Sequence, residues 1–148
     1  MLNTMLASFY ERDIRKLIEE IELFKNEENI WKTSGSIKNS SGNLALHIAG
    51  GLNHFFGATL GHNGYVRERS QEFIIRGVDR KELVKQLEKV IPIVTGILGK
   101  LTPQDMDAEY PIVFDKPGTS TGYVLAQLSL HLNYHLGQVN YLRRMLES

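Results

Sequence analysis

"LSLHLNYHLGQVNYL", residues 128–142, decides the fold. Its leucines and valine recur at helical spacing, and no alternating pattern competes with them. At about 100° per residue, Val124, Leu128, Leu132, Val139, Leu142 and Leu146 share one face of a helix that starts near Ser120 or Thr121 and runs almost to residue 148. His135 falls within that face, and His131 lies at its edge. Gln138 extends the same edge. Ser129, Asn133, Gly137, Asn140 and Arg144 occupy the opposite side. Two imidazoles one turn apart can therefore reach a single point.

Three further segments show the same periodicity. The first covers about residues 3–27, with Leu6, Tyr10, Leu17, Ile21 and Phe24 inward. The polar stretch "KTSGSIKNSSGN" then reads as a loop. A second helix starts at Ser40 or Ser41, either of which can cap its free amides, and ends around Gly61–Gly64. Leu44, Ile48, Leu52, Phe55 and Thr59 run down one side of it. The third begins at Asp79, where Glu82 three residues on completes a capping-box pattern, and continues to about Leu101 with a kink expected at Pro92. "TPQD" adds a short helical turn with Pro103 in its first position. "EYPIVFDKPGTST" is a long, partly extended connection.

Four such helices in one domain spanning residues 1–148 predict an all-α four-helix bundle. The long connections at about 61–78 and 102–119 argue against a plain up-down-up-down order.

Composition narrows the function classes. The 17 basic and 17 acidic residues cancel, and no basic face or like-charge block points to nucleic acid. No apolar run reaches the roughly 18 residues of a membrane span. Met1–Tyr10 is too short for a secretory core and is interrupted by Glu11, Arg12 and Asp13. The chain contains no cysteine, so any thiol chemistry needs a thiol from outside. A cytoplasmic protein is the expectation.

Imidazole is a common neutral metal ligand, and a pair at i, i+4 supplies two. The second helix offers a third ligand in His47 or His54. These lie seven residues apart, about 10 Å along the axis, too far for one ion to take both. With helices two and four antiparallel and flush, His54 lies nearer the depth of His131 and His135. Three neutral nitrogens with open positions form the ligand set of a catalytic metal rather than a structural one. The bound state is expected to fade below about pH 6, because imidazole must be neutral to bind.

"NLALHIAGGLNHFFGATLGHNGYVRERSQEF" together with "LSLHLNYHLGQVNYL" resembles the DinB-like superfamily of bacterial metal-binding four-helix bundles. The histidine of "LHIAG" and the "HxxxHxGQ" pattern carry most of the resemblance. It implies an up-down-down-up bundle and a divalent metal, zinc or nickel, held by His47, His131 and His135. On this reading His54 packs nearby and His62, in a Gly-rich turn, is exposed. The resemblance further implies a homodimer, to which the outward Leu130, Tyr134 and Tyr141 are suited. It also implies kinship with transferases that use a low-molecular-weight thiol. Metal-dependent hydrolysis and a non-catalytic metal-binding or stress-response role are the alternatives.

Other residues are candidates for supporting chemistry. Gln138 can hydrogen-bond an imidazole or a bound water. Asp13, near the inner stripe of the first helix, can orient a histidine or act as a base, or pair with a Lys or Arg at the rim. Arg67 and Arg69 can attract an anionic substrate or join an Arg–Glu surface network.

Overall fold

The computed structural model describes residues 2–148. Among them there are six α-helices and no strand. The four long ones are α1 (Leu2–Leu23), α2 (Ser41–Leu52), α4 (Arg80–Lys100) and α6 (Thr121–Leu146). The short α3 (Arg69–Ile74) and α5 (Pro103–Asp107) lie within the two long connections. α1 packs against α4 and α6, and α2 packs against the same two.

Local chemistry sets most of the boundaries. Ser40 caps α2 by accepting from the Asn43 amide, and Ser120 caps α6 by accepting from the Tyr123 amide. Thr102 and Asp105 form a reciprocal capping box on α5, with Pro103 just inside it. The box expected at Asp79 is not made: the Asp79 side chain caps nothing. The Arg80 amide donates instead to Glu27, at 2.6 Å, from a 3-10 turn over Glu27–Trp31. A distant carboxylate thus takes over the role that local sequence assigned to Asp79. α1 stops at Leu23, short of residue 27, and Asn26 begins that 3-10 turn. The 108–120 connection is extended only at the isolated bridges Glu109–Ser120 and Phe114–Lys116.

The core contains Tyr10, Ile14, Leu17 and Ile21 of α1, Leu44, Ile48 and Leu52 of α2, Leu83, Leu87, Val94 and Leu98 of α4, and Val124, Leu125, Leu132 and Val139 of α6. The small, polar side of α6 faces α1. Asn133 donates to Asp13 at 2.9 Å, while Asn140 and Arg143 both reach Glu20 at 2.7 Å.

The end of α2 departs from a regular helix. Asn53–Ala58 is π-helical, with the Thr59 amide bonding the His54 carbonyl at 3.0 Å. The wider turn delays the inward position by one residue. Phe56, fully buried, occupies the core site that regular periodicity assigned to Phe55. Phe55 instead lines a cavity beside α6.

Candidate metal centre

α2 and α6 run antiparallel. Leu52 and Phe55 share one cavity with Tyr123 and Leu128, while Leu44 shares another with Leu142 and Met145. That alignment brings His47 opposite His131 and His135. Their Nε2 atoms are 3.4 Å apart for His47 and His131 and 2.9 Å for His131 and His135. The three residues each offer a ligand atom, all within 4.8 Å of one another.

His54 lies outside this group. Its ring rests against Phe55, with centroids 4.9 Å apart. The depth argument that favoured it assumed flush ends and a helix reaching Gly61–Gly64. The helical run stops at Ala58, which moves its midpoint toward His47. His62 is exposed, as expected, with a positive φ of 50°.

The three imidazoles differ in environment. His47 is buried, His135 half-buried and His131 exposed at one edge. The buried face predicted for α6 is present at Val124, Leu128, Leu132, Val139 and Leu142 and extends to Leu125 and Leu136, but His135 sits on its flank rather than within it. Desolvation of the His131 ring at the cluster comes first, then the proximity of His135, His47, Arg67 and Arg69. Together they push its pKa down to about 4. Burial also lowers that of His135, against a raising effect of Gln138. Neutral imidazoles are what a cation needs.

Each outer nitrogen that the structure ties down leaves an Nε2 for the cluster. Gln138 Oε1 lies 2.7 Å from His135 Nδ1, so the expected hydrogen bond to an imidazole is present. Glu72 Oε1 lies 3.1 Å from His47 Nδ1. With a proton on each Nδ1, both bonds are N–H donations, and the Nε2 lone pairs point to the common centre. Arg67 Nη2 is 3.2 Å from His47 Nδ1, where two donors cannot bond each other; both converge instead on Glu72 Oε1, which Arg67 reaches at 2.9 Å.

Glu72 is the residue beside this cluster that sequence reasoning missed. It is buried, with Arg67 Nε at 2.8 Å on its other oxygen. Burial alone would raise its carboxyl; the bonds from His47 and Arg67 outweigh that and hold it below its ordinary value. The Arg–Glu pairing expected around Arg67 is therefore real, but it is an interior pair against His47 rather than a surface network.

A signal for it was present in Gly50 and Gly51. Two glycines inside a helix cost about 1 kcal/mol each relative to alanine and call for a reason. A Cβ on Gly50 would stand 2.2 Å from Glu72 Oε2, and one on Gly51 3.3 Å from Arg67 Nη2. The pair lies directly on the bare backbone of α2. Asn43 fixes α3 in place by donating to the carbonyls of Glu72 and Ile75, at 2.9 and 2.8 Å.

Asp13 is buried on the α1 side of α6, where Arg12 and Asn133 hold its carboxylate at 2.8 and 2.9 Å. It is not brought to the histidines. The pairing half of its expectation is what the structure has, with the carboxylate buried and Arg12 half-exposed.

A cavity of about 420 Å³ opens beside His47 and His131. Ile48, Leu52, Phe55, Leu128 and Leu132 make it largely apolar, and Arg69 and Asp115 also line it. A second cavity of about 350 Å³ adjoins His135 and Gln138, with Tyr141 in its wall. Tyr134 packs its ring 5.5 Å from that of His135 but is otherwise exposed. Among the described residues no helix is long and apolar enough to cross a membrane.

No curated protein matches the chain in a sequence comparison. Residues 2–148 match the family described as "Protein of unknown function (DUF1572)", and the chain belongs to that family.

Proposed function

We propose that the chain is a DinB-like, up-down-down-up four-helix bundle in which His47, His131 and His135 hold one zinc or nickel ion, and that it is a metal-dependent transferase using a low-molecular-weight thiol. The observation that carries the proposal is the convergence of three imidazole ligand atoms within 4.8 Å, beside a cavity of about 420 Å³. A dipositive ion on three neutral ligands supplies Lewis acidity and favours an anionic partner such as a thiolate.

The chain's own residues do the rest. Glu72 and Gln138 orient two of the imidazoles and select their tautomers. The apolar wall of the cavity keeps water from the reacting atoms and leaves room for an organic substrate. The thiol comes from a cosubstrate, because the chain has no cysteine.

Hydrolysis fits less well, because the buried carboxylates Asp13 and Glu72 are engaged, which leaves Asp115 of the cavity wall as the free one. Asp13 is occupied by Arg12 and Asn133, and both oxygens of Glu72 are taken by Arg67 and His47. A non-catalytic metal-binding protein would have no use for the cavity. Cytoplasmic location belongs to the same reading, as does a homodimer through Leu130, Tyr134 and Tyr141, which are 66%, 64% and 68% exposed. A single 16.8 kDa species in light scattering would exclude the dimer.

Elemental analysis of the untagged protein tests the centre. About one divalent ion per chain is expected, lost in His131→Ala and His135→Ala and kept in His62→Ala. Full retention in both α6 variants would remove the assignment. Turnover of a chlorodinitrobenzene by the loaded protein, with and without added thiol, tests the reaction.

A further inference from the structure

The cavity beside His47 and His131 carries two charges that the rest of the protein does not use. Arg67, at its edge, is consumed by Glu72. Arg69 is different. Among the described residues no hydrogen bond or ion pair ties its guanidinium, which lies 5.6 Å from the centre of the Phe73 ring. Phe73 in turn lies 4.9 Å from the His47 ring. Arg69 is thus propped by stacking, two ring steps from the histidine cluster, and it lines the cavity.

Asp115 lines the same cavity from the 108–120 connection, with a positive φ of 62°. No ion pair joins it to Arg69 or to any other described residue. On α6, Tyr123 and Gln127 also line the cavity, and no side-chain hydrogen bond ties either among the described residues.

We propose that Arg69 is a specificity-determining residue that receives a carboxylate of a ligand whose other end lies at the three histidines, and that Asp115 receives an amino group of the same ligand. The ligand class is a peptide-like molecule carrying both charges. Phosphorylated ligands are disfavoured, because a dianion would face the Asp115 carboxylate as well as the Arg69 guanidinium. The inference rests on the proposed function only for the ligand's other end, a thiol at the metal.

Calorimetric titration of the metal-loaded protein with S-methylglutathione tests the subsite independently of the thiol. This probe has the carboxylates and amino group but no free sulfhydryl. Arg69→Ala should weaken its binding about tenfold, the scale of a charge-assisted hydrogen bond, and Arg69→Lys should recover part of that. Asp115→Asn should cause a smaller loss. The diethyl ester should bind the native protein no better than the acid binds Arg69→Ala. Equal binding of acid and ester, unchanged affinity in Arg69→Ala, or no binding to the native protein at millimolar concentration would each overturn the inference.

Free glutathione with the cobalt-loaded protein separates this from the thiol reading. Arg69-dependent binding of the S-methyl probe without a thiolate-to-cobalt band for glutathione would leave the subsite standing and sink the thiol reading. A band of equal midpoint in native protein and Arg69→Ala would do the reverse.

Discussion

Glu72 Oε1 lies 3.1 Å from Nδ1 of His47, and the same carboxylate takes two bonds from Arg67. One acid therefore serves two functions. It orients a proposed metal ligand, and it compensates a guanidinium that is only 11% exposed. Removing it should be felt in both.

Glu72→Ala is expected to weaken metal affinity by about 10- to 100-fold, the usual cost of losing the partner of a liganding imidazole. It should also destabilise the metal-free protein by about 3–5 kcal/mol, because Arg67 is left as an uncompensated interior charge. Glu72→Gln keeps an acceptor for His47 and should fall between. Urea unfolding of the metal-free forms and competition with a chromogenic chelator measure the two effects. Native values for Glu72→Ala in both would show that the carboxylate has neither role.

Gly50 allows a prediction against helix propensity. Alanine is the better helix former by about 1 kcal/mol, yet at position 50 its Cβ would meet the pinned carboxylate of Glu72 at 2.2 Å. Gly50→Ala should lower both metal affinity and stability. At Gly96, in the C-terminal part of α4, an added methyl would have nothing within 4 Å, so Gly96→Ala should raise stability by about 0.5–1 kcal/mol. Chemical denaturation of the two variants side by side decides it. A stabilised Gly50→Ala with native metal affinity would mean that Glu72 is free to move.

These residues show where local sequence stops informing. The long helices were legible because each repeats its apolar spacing over several turns, and Ser40, Ser120 and Pro103 mark helix starts. His131 and His135 were legible because one helix carries both. Glu72 was not, because it sits on a six-residue helix with too little periodicity to show which face meets α2. For Asp13 the pairing with an Arg was legible in its neighbour Arg12, but its second partner, Asn133, was not, being 120 residues away on a helix face whose polarity alone does not reveal what it meets. The π turn at Asn53–Ala58 displaced Phe55 by one position, and nothing in apolar spacing registers an inserted residue.

The lowered pKa of His131 sets a pH window. Its value of about 4 lies below the ordinary 6.5, so the unfolded chain binds the proton first as pH falls. This group's contribution to stability is fully present above 6.5 and is lost progressively down to about 4. Protons also compete less well with a cation for such a ring than for an ordinary imidazole. Loss of metal should therefore lie lower than the pH of about 6 expected from unperturbed histidines. Metal content after gel filtration at stepped pH, alongside melting of the metal-free form, measures both. Half-release at or above the ordinary 6.5 would contradict the lowered value.

The choice between His47 and His54 can be settled by heat. Four packed helices bury enough apolar surface to fold without an ion, so metal should stabilise the chain rather than permit its folding. A cation at about a thousandfold above its dissociation constant adds roughly 4 kcal/mol, which for a chain of 148 residues is a rise of about ten degrees in melting temperature. His47→Ala removes the proposed α2 ligand and leaves Glu72 without its imidazole, so it should cancel most of that rise. His54→Ala removes a ring that leans on Phe55 and should leave the rise nearly intact. The two variants differ in burial, so the quantity to compare is the metal-dependent shift within each, not the melting temperature itself. A shift kept in His47→Ala and abolished in His54→Ala would mean that the ion enters from the far end of α2, and the third ligand would have to be reassigned.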